Sequence, residues 1–98
     1  LLMKYFLVGD DYQVLYADYG FLMSALFRKD DKTWKYVGPR LDDYRHGYDP
    51  SEPEGSGYGY GNHSCMEKIV AVSKKEAEKF IGQLINEEEL IKLFKDQK

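Results

Sequence analysis

The side chains best suited to chemistry in this 98-residue chain lie close together. His46, Asp49, Glu52, His63 and Cys65 fall within one stretch and are the types that hold zinc or a similar ion. Their spacing fits no recognisable template, because seventeen positions separate the two histidines whereas sequence-readable zinc sites carry tight pairs. The plainer reading, two loop histidines and no cofactor, is the expectation. Ser64, His63 and Asp49 could supply a nucleophile, a base and an orienting acid. No nucleophile-elbow motif frames the serine, and adjacency in sequence is not triad geometry. The acidic pairs Asp10-Asp11, Asp30-Asp31 and Asp42-Asp43 read as turn chemistry rather than a tuned acid and base. Gly55, Gly57, Gly59 and Gly61 make no phosphate cradle, which needs a strand before the glycines and a helix directly after them.

The same stretch is better equipped for recognition. Asp42 to His63 contains no aliphatic side chain, yet it holds four of the nine tyrosines and five of the nine glycines. Residues 39–66 are therefore expected to form a long polar loop outside the core, and loops of that length inside a domain tend to be functional or disordered. Tyr44, Tyr48, Tyr58 and Tyr60 offer large amphipathic area with few torsions to freeze, while neighbouring glycine and serine let the backbone adapt. Together with His46, Asp49 and His63 they form the expected binding set.

Charge adds a sign. Residues 41–66 carry five carboxylates against Arg45 alone, and the two flanks are near balance, so the net charge of −3 originates in this tract. Such a tract steers a basic protein partner towards it, with an effect that fades as salt rises. Nucleic acid is not expected as a partner, since the nearest basic cluster, Arg28, Lys29, Lys32 and Lys35, is interrupted by Asp30 and Asp31. Nor is a membrane: the apolar opening LLMKYFLVG is too short to span a bilayer and lacks the pattern of a signal peptide. Cys65 stands alone, which gives no reason to infer an oxidising compartment, and the cytoplasm is the expected location.

The elements that must position this tract are legible on both sides of it. Met3 to Val8 and Tyr12 to Ala17 read as a hairpin, Asp18-Tyr19-Gly20 as a break, and Phe21 to Arg28 with Trp34 to Val37 as a second hairpin. A helix over residues 12–28 also fits the apolar spacing, but Gly20 and the density of aromatics favour strands. Trp34 is read as a core residue with Arg28 stacked on it across the hairpin. Residues 68–72 supply a further short strand. Ser73 and Glu76 then form a capping box, and Ala77, Phe80, Ile81, Leu84 and Ile85 fall on one face of a helix over about 74–85. Asn86 caps a second helix over about 87–96, which is expected to be a lightly docked tail.

Strands clustered ahead of helices predict one α+β domain, a small antiparallel sheet of four or five strands with two C-terminal helices on one face. The function read from these residues is protein binding through the acidic, tyrosine-rich tract, as an inhibitor, antidote-type or accessory protein. The alternative is a small enzyme or metal-dependent protein using His46, His63 and Cys65, and a homo-oligomer joined by sheet edges is a third reading.

Overall fold

Aromatic and β-branched residues crowd the first forty positions, and these segments pair into a sheet. The computed structural model describes residues 3–9, 11–20, 22–45 and 68–97. Its strands are β1 (Lys4–Val8), β2 (Val14–Gly20), β3 (Met23–Arg28), β4 (Lys35–Gly38) and β5 (Ile69–Val72). They form one antiparallel sheet in the order β4-β3-β2-β1-β5, so the first four make a meander and β5 returns to lie beside β1. Among the described residues three helices accompany them: α1 (Arg40–Arg45), α2 (Lys74–Ile81) and α3 (Glu87–Lys95). The fold is α+β, with the two C-terminal helices on one face of the sheet.

Both faces of this sheet carry apolar residues, and strand alternation divides them. Tyr5, Leu15, Ala17, Ala25 and Phe27 face the C-terminal helices and build the larger core with Ala77, Ile85, Leu90 and Phe94. Val8, Tyr16 and Leu26 point the other way and form a second cluster with Leu41 and Tyr44 of α1. That two-sided burial explains why residues 14–17 and 25–27 read as continuous apolar runs that a helix could also have produced. Ala17 sits directly opposite Ala25 in the ladder and both are fully buried, so α2 approaches β1 and β2 closely through Ala77.

Three local features depart from the sequence expectation. Strand β2 does not break at Asp18 but continues through Gly20, because Tyr19 is accommodated as a bulge and the Asp18 carboxylate accepts the Gly20 N–H at 2.9 Å. Helix α2 ends at Ile81 rather than near residue 85. Gly82 takes the left-handed conformation at φ 75°, which costs glycine little, and its N–H closes on the Glu78 carbonyl. The Glu78 carboxylate then accepts the Ile85 N–H at 2.7 Å, which turns Ile85 into the core and leaves Leu84 in solvent. Third, Arg40 to Arg45 is helical, where a loop was expected from residue 39 onward.

Both C-terminal helices are capped by side chains. Ser73 Oγ accepts the Glu76 N–H and the Glu76 carboxylate accepts the Ser73 N–H, which holds the Glu76 carboxyl below its usual range. Asn86 Oδ1 accepts the N–H groups of Glu88 and Glu89. Helix α3 is not a lightly docked tail. Leu90 and Phe94 are fully enclosed, and the Phe94 ring stacks on Tyr19 at 4.9 Å and meets Tyr36 edge-on at 6.0 Å.

At its other end α3 is tied to the sheet by a polar contact. The buried Tyr5 hydroxyl donates to Glu87 Oε2 at 2.7 Å, and Glu87 Oε1 lies 3.6 Å from Lys74 Nζ. Burial, followed by the hydrogen bond to Glu87 and the nearby negative charge, pushes the Tyr5 phenol well above its ordinary value. The folded chain thus holds this proton more tightly than the unfolded chain, so the stability it contributes is complete below the usual tyrosine range and is lost as pH rises above about 10. Urea midpoints measured from pH 9 to 12 are expected to fall more steeply for the wild type than for Tyr5→Phe. The difference should reach at most about 1.4 kcal/mol per pH unit. Parallel curves would show that Tyr5 loses its proton as easily folded as unfolded.

Candidate functional site

The tract singled out by the sequence leaves the sheet through α1, so this helix fixes where it starts. Pro39 stands just ahead of α1, Asp42 and Asp43 lie in its first turn and Arg45 in its last, the charge order that complements a helix dipole. Six residues are too few to hold a helix in water without packing. Leu41 and Tyr44, three apart, supply that packing by burying themselves against Val8, Tyr16 and Leu26.

A buried serine sets the angle of entry. Ser24, on the α1 side of β3, donates its hydroxyl to the Gly38 carbonyl at 2.7 Å and accepts the Leu41 N–H at 3.4 Å. One side chain thereby satisfies both the last carbonyl of β4 and an amide that the first turn of α1 leaves unpaired. Gly38 makes the corner possible, since φ there is 61° and a side chain would be strained.

Arg45 closes the arrangement. Its guanidinium donates to the Asp18 carboxylate at 3.0 Å and lies over the Phe6 ring, 4.6 Å from the centroid. The arginine bonds outward from α1 to two strands at once, so its planar head is oriented by a carboxylate on one edge and an aromatic face beneath. About a third of its side chain stays exposed. Beside the pair runs a cleft of about 260 Å³ between α1 and the β2–β3 turn, lined by Asp18, Leu22, Met23, Asp42 and Arg45 among others. Leu22 forms its lip with 61% exposure and φ at 60°, a conformation rare for a branched side chain. Two carboxylates against one guanidinium make the cleft slightly acidic. Among the described residues that line it, Ser24 carries the one hydroxyl, and it is buried and already engaged in the α1 corner.

The far anchor of the tract lies on the same sheet. The Gly9 N–H donates to the Lys68 carbonyl at 3.0 Å, and Ile69 pairs with Val8 and packs into the second cluster. Residues 46–67 thus connect two points that are both fastened to the α1 side, opposite α2 and α3.

Of the binding set read from the sequence, Tyr44 is described, and its place differs from the expectation: it is buried at 8% exposure in the second cluster and is not a free recognition side chain. The absence of aliphatic residues after Asp42 suggested that nothing there could be core. A tyrosine three residues from Leu41 on one helical face suffices. His46, Tyr48, Asp49, Tyr58, Tyr60 and His63 lie outside the described residues, as does Cys65. Among the described residues no group of three or more His, Cys, Asp or Glu side chains is placed to hold a metal ion. The cation–π contact expected of Arg28 and Trp34 is not found among the described residues, where the arginine over a ring is Arg45. Sequence reasoning missed Asp18, Phe6 and Leu22. Asp18 had one signal, since an acid two residues before a glycine is a turn or bulge former whose carboxylate bonds nearby.

Fold and site together define a class: a five-stranded antiparallel sheet, a four-strand meander with β5 added beside β1, clad by two helices on one face and braced by a short helix on the other. Comparison of the chain with protein-family models, with curated proteins and with solved structures found no match. No helix among the described residues is long and apolar enough to cross a membrane.

Proposed function

We propose that this chain works by binding another protein, of basic character, through the acidic tyrosine-rich tract that leaves α1, in the manner of an inhibitor, antidote-type or accessory protein. One observation carries the reading. Arg45 is the only cation among residues 41–66, and it is already engaged by Asp18 and Phe6. The acids that follow it in sequence, Asp49, Glu52 and Glu54, are balanced by no lysine or arginine between residues 46 and 66. Acidic charge interleaved with tyrosine and glycine is the composition of an adaptable binding surface that steers a basic partner. The neighbouring cleft, with Asp18, Asp42 and the exposed Leu22, extends the same chemistry onto the folded sheet.

Because Tyr44 belongs to the core, the test uses Tyr48, Tyr58 and Tyr60. The immobilised chain and its Tyr48→Ala, Tyr58→Ala, Tyr60→Ala triple variant are exposed to host extract at low and high salt, and bound proteins are identified by mass spectrometry. A basic protein held by the wild type, lost from the triple variant and weakened by salt is expected, with unfolding midpoints of the two chains unchanged. Equal capture by both chains would refute the reading.

A further inference from the structure

On the opposite side of the sheet lies a second cleft, of about 230 Å³, between the β3–β4 connection and α3. Trp34 and Leu93 line it, and its two walls carry opposite charge: Lys32 on the connection and Glu89 on the helix. Trp34 packs edge-on against Phe27 at 5.4 Å and tilts towards Tyr5 at 6.5 Å, so its inner part is core while the residue stays partly exposed at the cleft. At the rim stands Leu84, 84% exposed. A single exposed leucine is ordinary. This one is held outward, because the Gly82 turn precedes it and Ile85 behind it is buried and bonded to Glu78. It cannot turn into its own core without breaking that tie.

We infer that this cleft is the contact between two copies of the chain, each inserting Leu84 beside the other's Trp34. The surface is self-complementary in the way a two-fold contact demands. A two-fold axis running along the cleft sets the wall bearing Lys32 of one copy against the wall bearing Glu89 of the other, and does so twice. Neither side chain forms an ion pair among the described residues, so both are available for this. A knob and a cleft of fitting chemistry on the same patch answer each other only between copies, and the paired charges fix the register. The contact lies on the face opposite the two anchors of the acidic tract. A dimer would therefore carry both pairs of tract anchors on faces away from the contact, and two tracts on one particle raise the avidity for any partner with repeated sites. The inference does not depend on what the tract binds.

Sedimentation equilibrium over loading concentrations up to about 1 mM covers the affinity range of such a contact. The wild type is expected to associate reversibly to a dimer. Leu84→Glu should weaken association about a hundredfold, since each dimer loses two anchors. Lys32→Glu and Glu89→Lys should each weaken it, and the double reversal should restore it to within about threefold. These positions lie at the surface, and circular dichroism of each variant confirms that it folds. A wild type that stays monomeric throughout, a dimer indifferent to Leu84→Glu, or a double reversal no better than the singles overturns the inference. The second of those outcomes would point to a contact elsewhere, such as the sheet edge at β5.

Discussion

Phe94→Ala is expected to lower the unfolding free energy by about 3–5 kcal/mol, among the largest effects of a single substitution. The ring is fully buried, and its removal forfeits three things at once: the transfer of an aromatic side chain out of water, the stack on Tyr19 and the edge contact with Tyr36. Neighbours are poorly placed to collapse into the space, because Tyr36 sits on backbone paired with Ala25 in the ladder and Tyr19 sits on a bulge held between paired Asp18 and Gly20. Small domains have about 5–15 kcal/mol in total, so the variant would sit near its folding threshold at room temperature. A shift of the thermal midpoint by about 4–8 °C for each kcal/mol is the corresponding calorimetric signature at this chain length. The result also decides what α3 is. A helix that merely rests on the surface would give a loss below about 1 kcal/mol, whereas a helix that completes the core gives the full cavity cost.

How much of this was legible beforehand follows from where each signal sits. The meander could be read because turn residues punctuate it at Gly9, Gly20 and Asp30-Asp31, and the capping box at Ser73 could be read because its partners are three residues apart. Both are local signals. The end of α2 is hidden in the sequence because Leu84 and Ile85 continue the helical spacing beyond Gly82. The glycine stops the helix, and a Glu78 carboxylate seven residues back redirects Ile85. Helix α1 was hidden for a different reason: with two apolar residues it carries almost no periodicity, and its stability comes from a sheet face formed by residues far away in sequence. The Arg45 to Asp18 pair spans 27 positions and the Trp34 to Leu84 cleft spans fifty. No spacing rule reaches that far, so the acidic composition of the tract could be read while the arginine that anchors it could not.

The second large effect should come from the other face. Leu41→Ala removes a side chain that is 1% exposed and is expected to cost about 2–5 kcal/mol. The range is wide because α1 has two ways to respond. If Val8, Tyr16 and Leu26 stay sealed only while Leu41 lies on them, the loss falls on global stability and the urea midpoint drops with an unchanged slope. If α1 peels away by itself, the loss is capped at the cost of local opening. Amide exchange separates the two. The Asp43 N–H bonds the Pro39 carbonyl, and the Leu41 N–H bonds Ser24, so both report α1 directly, while the Ala25 amide in β3 reports the sheet. We expect the midpoint to fall by the cavity cost and all three amides to lose protection together. Ser24 joins Gly38 to Leu41 across a buried corner, and detaching α1 would break the bond its hydroxyl accepts from the Leu41 N–H and uncover the one it donates to the Gly38 carbonyl. A small midpoint shift, with protection lost at Asp43 and kept at Ala25, would show instead that α1 opens alone. The acidic tract would then be tethered to the sheet by the part-buried pair of Arg45 and Asp18.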